Sequence, residues 1–308
     1  MNRSSLSTII VFFVGILFVS AAMAQQAGSN ESRPLSQPRT PAVRQPAQSQ
    51  PAAAGANQPR PIQPPFVLTP EQQKYIDQLL AAWEAKNKMI DKFSSSVRRY
   101  KYDTVFGPKD GKPMQVDEGT IKYERPDKGL FQVKGDRPEQ WICDGKSVYQ
   151  YEYKERTLKE YELPPDLQGK AIEDGPLPFI FTASAEKMKR RFWLRAVAPP
   201  PGVKDQYWIE AFPRHQHDAA SFKQVLIILG GKDLLPVGIQ MFATSYDGQT
   251  NFNRDSFEFY DIVINDPLGF LKGDPFAART PFGWKKVVEK ERGQPARMSS
   301  QPEADKRR

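Results

Sequence analysis

One run of residues carries metal-binding chemistry at short spacing: Arg214-His215-Gln216-His217-Asp218. Two imidazoles two apart on a strand would share a face and could hold zinc together with a carboxylate. The run falls between two strand-like segments, however, and brings no third or fourth ligand, so it reads as a solvated loop. Asp255 and Glu258 stand three apart. A carboxylate pair works as acid and base only in a cleft that separates the two pKa values, and a solvated strand edge is the expectation here. Cys143, the single cysteine, precedes Asp144 and has no nearby base to lower its pKa, so it is expected as buried strand filling. Lys187, Lys189, Arg190 and Arg191 form a basic knot that could face anionic headgroups or simply be one charged face of a helix. No G-x-S-x-G, phosphate-binding loop or H-E-x-x-H occurs. The expectation is a non-enzyme with no catalytic residues, no metal and no cofactor.

Composition narrows the setting for these residues. The chain has 308 residues, 44 Lys+Arg against 36 Asp+Glu, and 28 prolines; its hydrophobic share of 39% is low for a fully folded chain. One cysteine excludes a disulfide scaffold, and two histidines argue against a multi-histidine metal centre. A net charge of +8 suits peripheral contact with an anionic membrane surface, but spread over this length it does not indicate nucleic acid.

Four regions follow along the chain. Residues 1–24 pair a short basic start with an apolar run and end on Ala22-Met23-Ala24, the pattern of a secretory signal cut after Ala24. The apolar run is short of the ~20 residues a bilayer span needs, so an exported, periplasmic-type location is expected. Residues 25–66, rich in Gln, Pro and Ala, cannot bury enough apolar area to offset the entropy of ordering and should be an extended linker. Residues 67–282 are the folded domain, and residues 283–308 are expected as a charged, frayed tail.

The domain opens with Thr69-Pro70-Glu71-Gln72, a capping box with proline in the first turn. Tyr75, Ile76, Leu79, Leu80, Trp83, Ile90 and Phe93 then recur at three- and four-residue steps, predicting a helix of about 20 residues with one apolar face. Ten short segments rich in β-branched and aromatic residues follow: 97–105, 119–124, 129–134, 140–143, 147–153, 157–161, 207–212, 221–229, 235–243 and 257–264. Turn signals such as Asp110-Gly111, Asp144-Gly145, Gly230-Gly231 and Asp247-Gly248 separate them, which predicts an antiparallel meander. Proline-punctuated residues 163–191 should form one or two short helices across the sheet. Several strands are apolar on both faces. Tyr149, Tyr151 and Tyr153 share one face opposite Val148, and Trp141 and Cys143 oppose Ile142. Such a sheet either curls around something apolar or is a half-barrel filled by its own helices.

Four segments, in this order and spacing, resemble the LolA family of periplasmic lipoprotein carriers. They are Gly119-Thr120-Ile121-Lys122-Tyr123-Glu124-Arg125-Pro126, then Trp141-Ile142-Cys143-Asp144-Gly145-Lys146, then Pro176-Leu177-Pro178-Phe179-Ile180-Phe181, and Tyr246-Asp247-Gly248-Gln249-Thr250. The proline-armed design is also similar to secreted LolA-like proteins of planctomycete-type bacteria. The resemblance implies an α+β, mainly β fold: a curved antiparallel half-barrel with an N-terminal helix and lid helices. It further implies a cavity that takes the acyl chain of a lipid or lipoprotein, and a role as carrier or lipid-binding sensor, with envelope proteins as possible partners. Arg125 stands where the family has an arginine that latches the lid by hydrogen bonding; an ordinary surface arginine after a strand is the other reading. Trp141, Tyr149, Tyr151, Phe179 and Phe181 are the expected wall and lid residues. The long arm, the 163–203 insert and the charged tail depart from the family pattern, and the alternative is an envelope interaction module with a self-filled cavity.

Overall fold

A computed structural model describes residues 63–169, 172, 184–267 and 273–289. The first helix, α1 (Pro70–Asn87), begins as its residues dictate: the Thr69 hydroxyl accepts from the Gln72 N–H, and the Gln72 side chain accepts from the Thr69 N–H. Its buried face is Ile76, Leu79, Leu80 and Trp83. The apolar series of the sequence runs past the helix, because Ile90 lies in the following turn and Phe93 already belongs to a strand.

Twelve strands make one open, curved sheet. The first six form a meander: β1 (Lys92–Tyr102), β2 (Gln115–Glu124), β3 (Lys128–Lys134), β4 (Glu139–Asp144), β5 (Ser147–Glu152) and β6 (Thr157–Glu162). After a crossing segment and α2 (Ala185–Arg191), a second meander follows. It comprises β7 (Phe192–Val197), β8 (Gln206–Pro213), β9 (Gln224–Gly230), β10 (Pro236–Phe242) and β11 (Arg254–Ile264), with the one-turn helix α3 (Gln216–Ala219) between β8 and β9. The two meanders join where β11 pairs antiparallel with β1. Mainly β, with an N-terminal helix, the fold is the curved half-barrel expected from the sequence.

Two strands were not anticipated. β7 starts directly after the stretch read as helical, one residue past the end of α2, where no strand was expected. β12 (Lys285–Glu289) lies in the stretch expected to be a frayed tail, yet it pairs in parallel with β6 and forms one edge of the sheet. Its charged residues suit an edge strand, where solvent is at hand and lysine discourages further pairing. Residues 1–62 and 290–308, which hold the expected signal, most of the linker and the rest of the tail, lie outside the described residues.

Strand alternation sorts the side chains. One face carries Val97, Ile121, Trp141, Val148, Ile227, Ile239, Phe257 and Phe259, and it joins the buried face of α1 in one continuous core. The opposite face carries Ile142, Tyr151 and Leu158, which form a second, smaller cluster with Phe276 from the segment after β11.

Candidate ligand site

The face covered by α1 carries the main core and is the inner one. At the β7 end of the sheet it is roofed by α1 and α2, and Glu84 of α1 accepts from the Ala185 N–H at the start of α2 (3.1 Å). Toward β3 to β6 the roof comes from the chain after β6, where Leu163 and Ile172 join the same core. Gly129 makes room for this: a Cβ there would lie 2.5 Å from Cδ1 of Ile172. Phe131, Tyr161, Tyr207 and Ile262 remain partly accessible at the margins of this core.

Two side chains in the β2–β3 turn fasten the covering elements. Arg125 donates from Nη2 to the carbonyls of Asn87 and Ile90 (2.9 and 3.1 Å) and from Nε to Ile90 (3.2 Å). It therefore ties down the C-terminal end of α1, where unsatisfied carbonyls and the helix dipole favour a cation. These bonds go to the roof helix and the turn after it. The lid segment that the resemblance pairs with Arg125, Pro176 to Phe181, lies outside the described residues. Asp127 holds the second cover. Buried, it accepts from the Gly169 N–H in the segment between Leu163 and Ile172. Burial pushes its carboxyl up, against the pull of that hydrogen bond. The carboxylate also explains the Asp144-Gly145 turn, because Gly145 sits at φ +92° and a Cβ there would lie 2.7 Å from Oδ1 of Asp127. Nothing in the sequence reading singled out Asp127; its signal was a carboxylate two residues after Arg125, in the same turn.

A charged cluster occupies the inner face near the far end of β1. Arg99 is 1% exposed and donates from Nε and Nη2 to Oδ2 of Asp117 (3.1 and 2.8 Å) and from Nη1 to Glu139 (3.0 Å). Gln115 completes the set by donating to Asp117 (2.8 Å). Asp255, across from Lys101 on β11, adds a further buried carboxyl. Burial pushes Asp255 up to about 6, with Lys101 and Arg99 opposing. This corrects the expected solvated edge. Asp255 is buried on the inner face, whereas Glu258 is on the outer face, taking a hydrogen bond from the Tyr100 hydroxyl (2.9 Å) and an ion pair with Arg98 (3.5 Å). The two do not share a cleft.

The histidine run also differs from a solvated loop. Asp218 is buried and bound by two bonds from Arg191, Nε to Oδ2 (2.9 Å) and Nη2 to Oδ1 (2.7 Å). His217 Nδ1 lies 3.4 Å from the same carboxylate. Arg191 is thus an internal anchor rather than part of an outward basic face, and Lys189 is paired with Asp77 (2.9 Å). Among the described residues no group of three or more His, Cys, Asp or Glu is placed to hold a metal. Cys143 is buried with its thiol near the Asp127 carbonyl (3.2 Å), and burial pushes that thiol up to about 12.

The expected wall residues do not come together. Trp141 is on the inner face, within the main core. Tyr149 and Tyr151 are on the outer face, in the cluster covered by residues 276–284. The Tyr151 hydroxyl donates to the Arg279 carbonyl (3.0 Å) and accepts from its N–H (3.1 Å). Tyr149 has its hydroxyl 3.1 Å from carboxylate oxygens of both Asp144 and Glu160, and burial pushes it upward. Trp284 packs edge-on against Tyr153, with ring centres 5.3 Å apart. Phe179 and Phe181 lie outside the described residues. At the rim a cleft of about 360 Å³ opens beside Lys92, Lys122, Lys128 and Phe276, where Lys92 and Lys128 both reach Glu124 (3.3 and 3.9 Å).

No family model and no curated protein matches the sequence. Solved structures do resemble the fold. An uncharacterized conserved protein from Thermus thermophilus is 12% identical, with 70% of this chain and 99% of that one covered at a TM-score of 0.39. A LolA superfamily protein from Nitrosomonas europaea is 9% identical (61% and 93% covered, TM-score 0.32). A putative outer membrane lipoprotein-sorting protein domain from Vibrio parahaemolyticus is 10% identical (64% and 94% covered, TM-score 0.32). The family that the sequence resembles is thus among the structural neighbours, but at TM-scores this low none of them bears on what the chain binds.

Proposed function

We propose that this is an exported, non-catalytic protein that holds the acyl chain of a lipid or lipoprotein against the inner face of its sheet, as a carrier or sensor. One observation carries the reading. A curved sheet of this size turns a nearly continuous apolar face inward, and the roof over it is two separately fastened pieces, α1 and the segment after β6. Apolar contact would supply the binding, at ~25 cal/mol per Å² before ordering costs. Opening would require one roof piece to leave, and Asp127 with Gly169 is the fastening that would give first, since it is a single hydrogen bond. Trp141 belongs to the wall on this reading, and Phe179 and Phe181 to the lid. An acyl-bearing ligand, envelope protein partners for loading and release, and a cleaved signal ending at Ala24 all form part of the same proposal.

The test is mass spectrometry of an organic extract of the protein purified from its own envelope. An acyl lipid near one per chain is expected, lost in Trp141→Lys while Asp127→Asn, with its wall intact, exchanges lipid faster. A folded protein that holds no lipid, even after incubation with envelope extract, would overturn the proposal. The alternative, an envelope interaction module with a self-filled cavity, has its own support. Val97, Ile209 and Ile227 are fully buried by protein alone, so side chains already fill much of the concavity.

A further inference from the structure

The turn joining β1 to β2 holds two large apolar side chains in water. Val105 and Phe106 are 65% and 76% exposed, yet the backbone beneath them is tightly ordered. The Asp103 carboxylate accepts from the N–H groups of both (2.8 Å each), and the Gly107 N–H bonds the Asp103 carbonyl (2.9 Å). Lys109 folds back so that Nζ donates to the carbonyls of Thr104 and Val105 (2.6 and 3.3 Å). A turn fixed this firmly with a phenylalanine and a valine at its tip gains nothing for its own stability from presenting them.

Beside the tip lies a cleft of about 400 Å³, lined among others by Tyr102, Lys109, Lys112, Phe252 and Arg254. The Arg254 guanidinium lies over the Tyr102 ring, 3.8 Å from its centre. It donates once, from Nη1 to the Phe252 carbonyl (3.3 Å), and its Nε has no hydrogen-bond partner. Lys112 is paired with Asp110 (2.7 Å), but neither Arg254 nor Lys109 has a carboxylate partner among the described residues. Asp103, the acidic residue of the lining, is committed to the two amides of the tip. Two uncompensated cations therefore face a cleft with exposed Phe252 at its side.

We propose that this end of the molecule docks on an anionic phospholipid surface, with Val105 and Phe106 entering the boundary between headgroups and acyl chains and a lipid phosphate seated between Lys109 and Arg254. An anionic bilayer satisfies both halves of the surface, because it offers apolar depth and phosphate oxygens a few ångströms apart. A free phosphate would occupy the cations and leave the apolar tip in water. The stacked guanidinium is already oriented, so little ordering cost attends charge-assisted hydrogen bonds to phosphate. The inference is independent of whether the concave face carries an acyl chain.

The experiment uses the chain from Gln25 onward and co-sedimentation with phosphatidylcholine vesicles, with and without phosphatidylglycerol, at about 0.1 M salt. Wild type should partition preferentially to the anionic vesicles. The double variant Val105→Ser/Phe106→Ser, which alters exposed side chains alone, should lose about tenfold or more of that partitioning. Lys109→Gln and Arg254→Gln should each lose about fivefold on anionic vesicles with little change on neutral ones. Circular dichroism confirms that the variants fold, and Arg254→Gln alone answers for the cleft, because Lys109 also fastens the tip. Binding that survives both the tip and the cleft variants would belong to the basic arm or tail and overturn the assignment. Saturable binding of inorganic phosphate without vesicle binding would do the same, leaving a free-anion site.

Discussion

Replacing Asp255 by Asn isolates the most perturbed carboxyl of the inner face. Asp255 lies on β11 opposite Lys101, buried beside the Arg99–Asp117–Glu139 cluster. Burial raises it from 3.8 to about 6, Glu139 and Asp117 push the same way, and Lys101 and Arg99 offset only part of the effect. Roughly two units at about 1.4 kcal/mol each amount to about 3 kcal/mol. The sign follows from which state holds the proton. Between 3.8 and 6 the folded form binds a proton that the unfolded chain has released, so this stability is fully present below 3.8 and is lost as pH rises through 6. Asparagine imitates the protonated acid at every pH. Urea unfolding of both proteins from about pH 4 to about pH 8 should therefore show Asp255→Asn gaining on wild type by about 3 kcal/mol across that range. Taking the difference between the two proteins cancels the titration of groups that do not interact with Asp255. A difference that stays flat with pH, or that falls as pH rises, would refute the assignment of a raised, buried carboxyl at this position.

Other changes probe the outer face and the fastenings. Tyr151→Phe removes a hydroxyl that both gives to and takes from the Arg279 backbone, so it should cost about 1–2 kcal/mol and speed amide exchange in residues 276–284. Bound lipid per chain should not change; its loss would return Tyr151 to the ligand wall. Gly145→Ala meets both a φ of +92° and the Asp127 carboxylate, which should cost about 1–3 kcal/mol in urea unfolding and expose residues 163–172 to limited proteolysis. Arg125→Ala strips three hydrogen bonds from the end of α1, for about 1–3 kcal/mol, with faster exchange confined to the last turn of that helix.

Alternation in a strand tells which residues share a face but not which face is concave. Alternation puts Tyr149, Tyr151 and Tyr153 on one stripe and Trp141 with Cys143 opposite Ile142, as in the structure. What could not be read was that a segment more than a hundred residues later, with Phe276 and Trp284, would cover the tyrosine side. A stripe covered from outside looks the same in sequence as one that lines a cavity. β12 escaped for a related reason: Lys285-Lys286-Val287-Val288-Glu289 is too charged to announce a strand, and its parallel pairing with β6 involves no turn. The Thr69 capping box and the Asp144-Gly145 turn were legible because their causes are local. Arg99 and Asp255 were legible in principle, each being a charge in step with an apolar stripe: Phe93 and Val97 on one strand, Phe257 and Phe259 on the other.

That misplaced-looking charge has a physical use. Tight turns set the register from β2 to β6, but the seam of β1 with β11 joins strands about 160 residues apart and has no turn to align them. A slip of one residue on either strand would send its whole inner stripe to the outer face. On β1, a slip against β2, whose connection (103–114) is too long to fix the register, would also carry Arg99 away from Asp117 and Glu139, stranding two carboxylates in the core, and breaking a buried pair in this way costs about 3–5 kcal/mol. An apolar residue at 99 could bury as much area, yet it would tolerate a shifted partner. The cluster thus does for β1 and β2 what tight turns do between β2 and β6: it penalises the wrong alignment more than it rewards the right one. Asp255 sits at that seam with its proton held near pH 6, so the join between the two meanders is where a change of pH should first be felt.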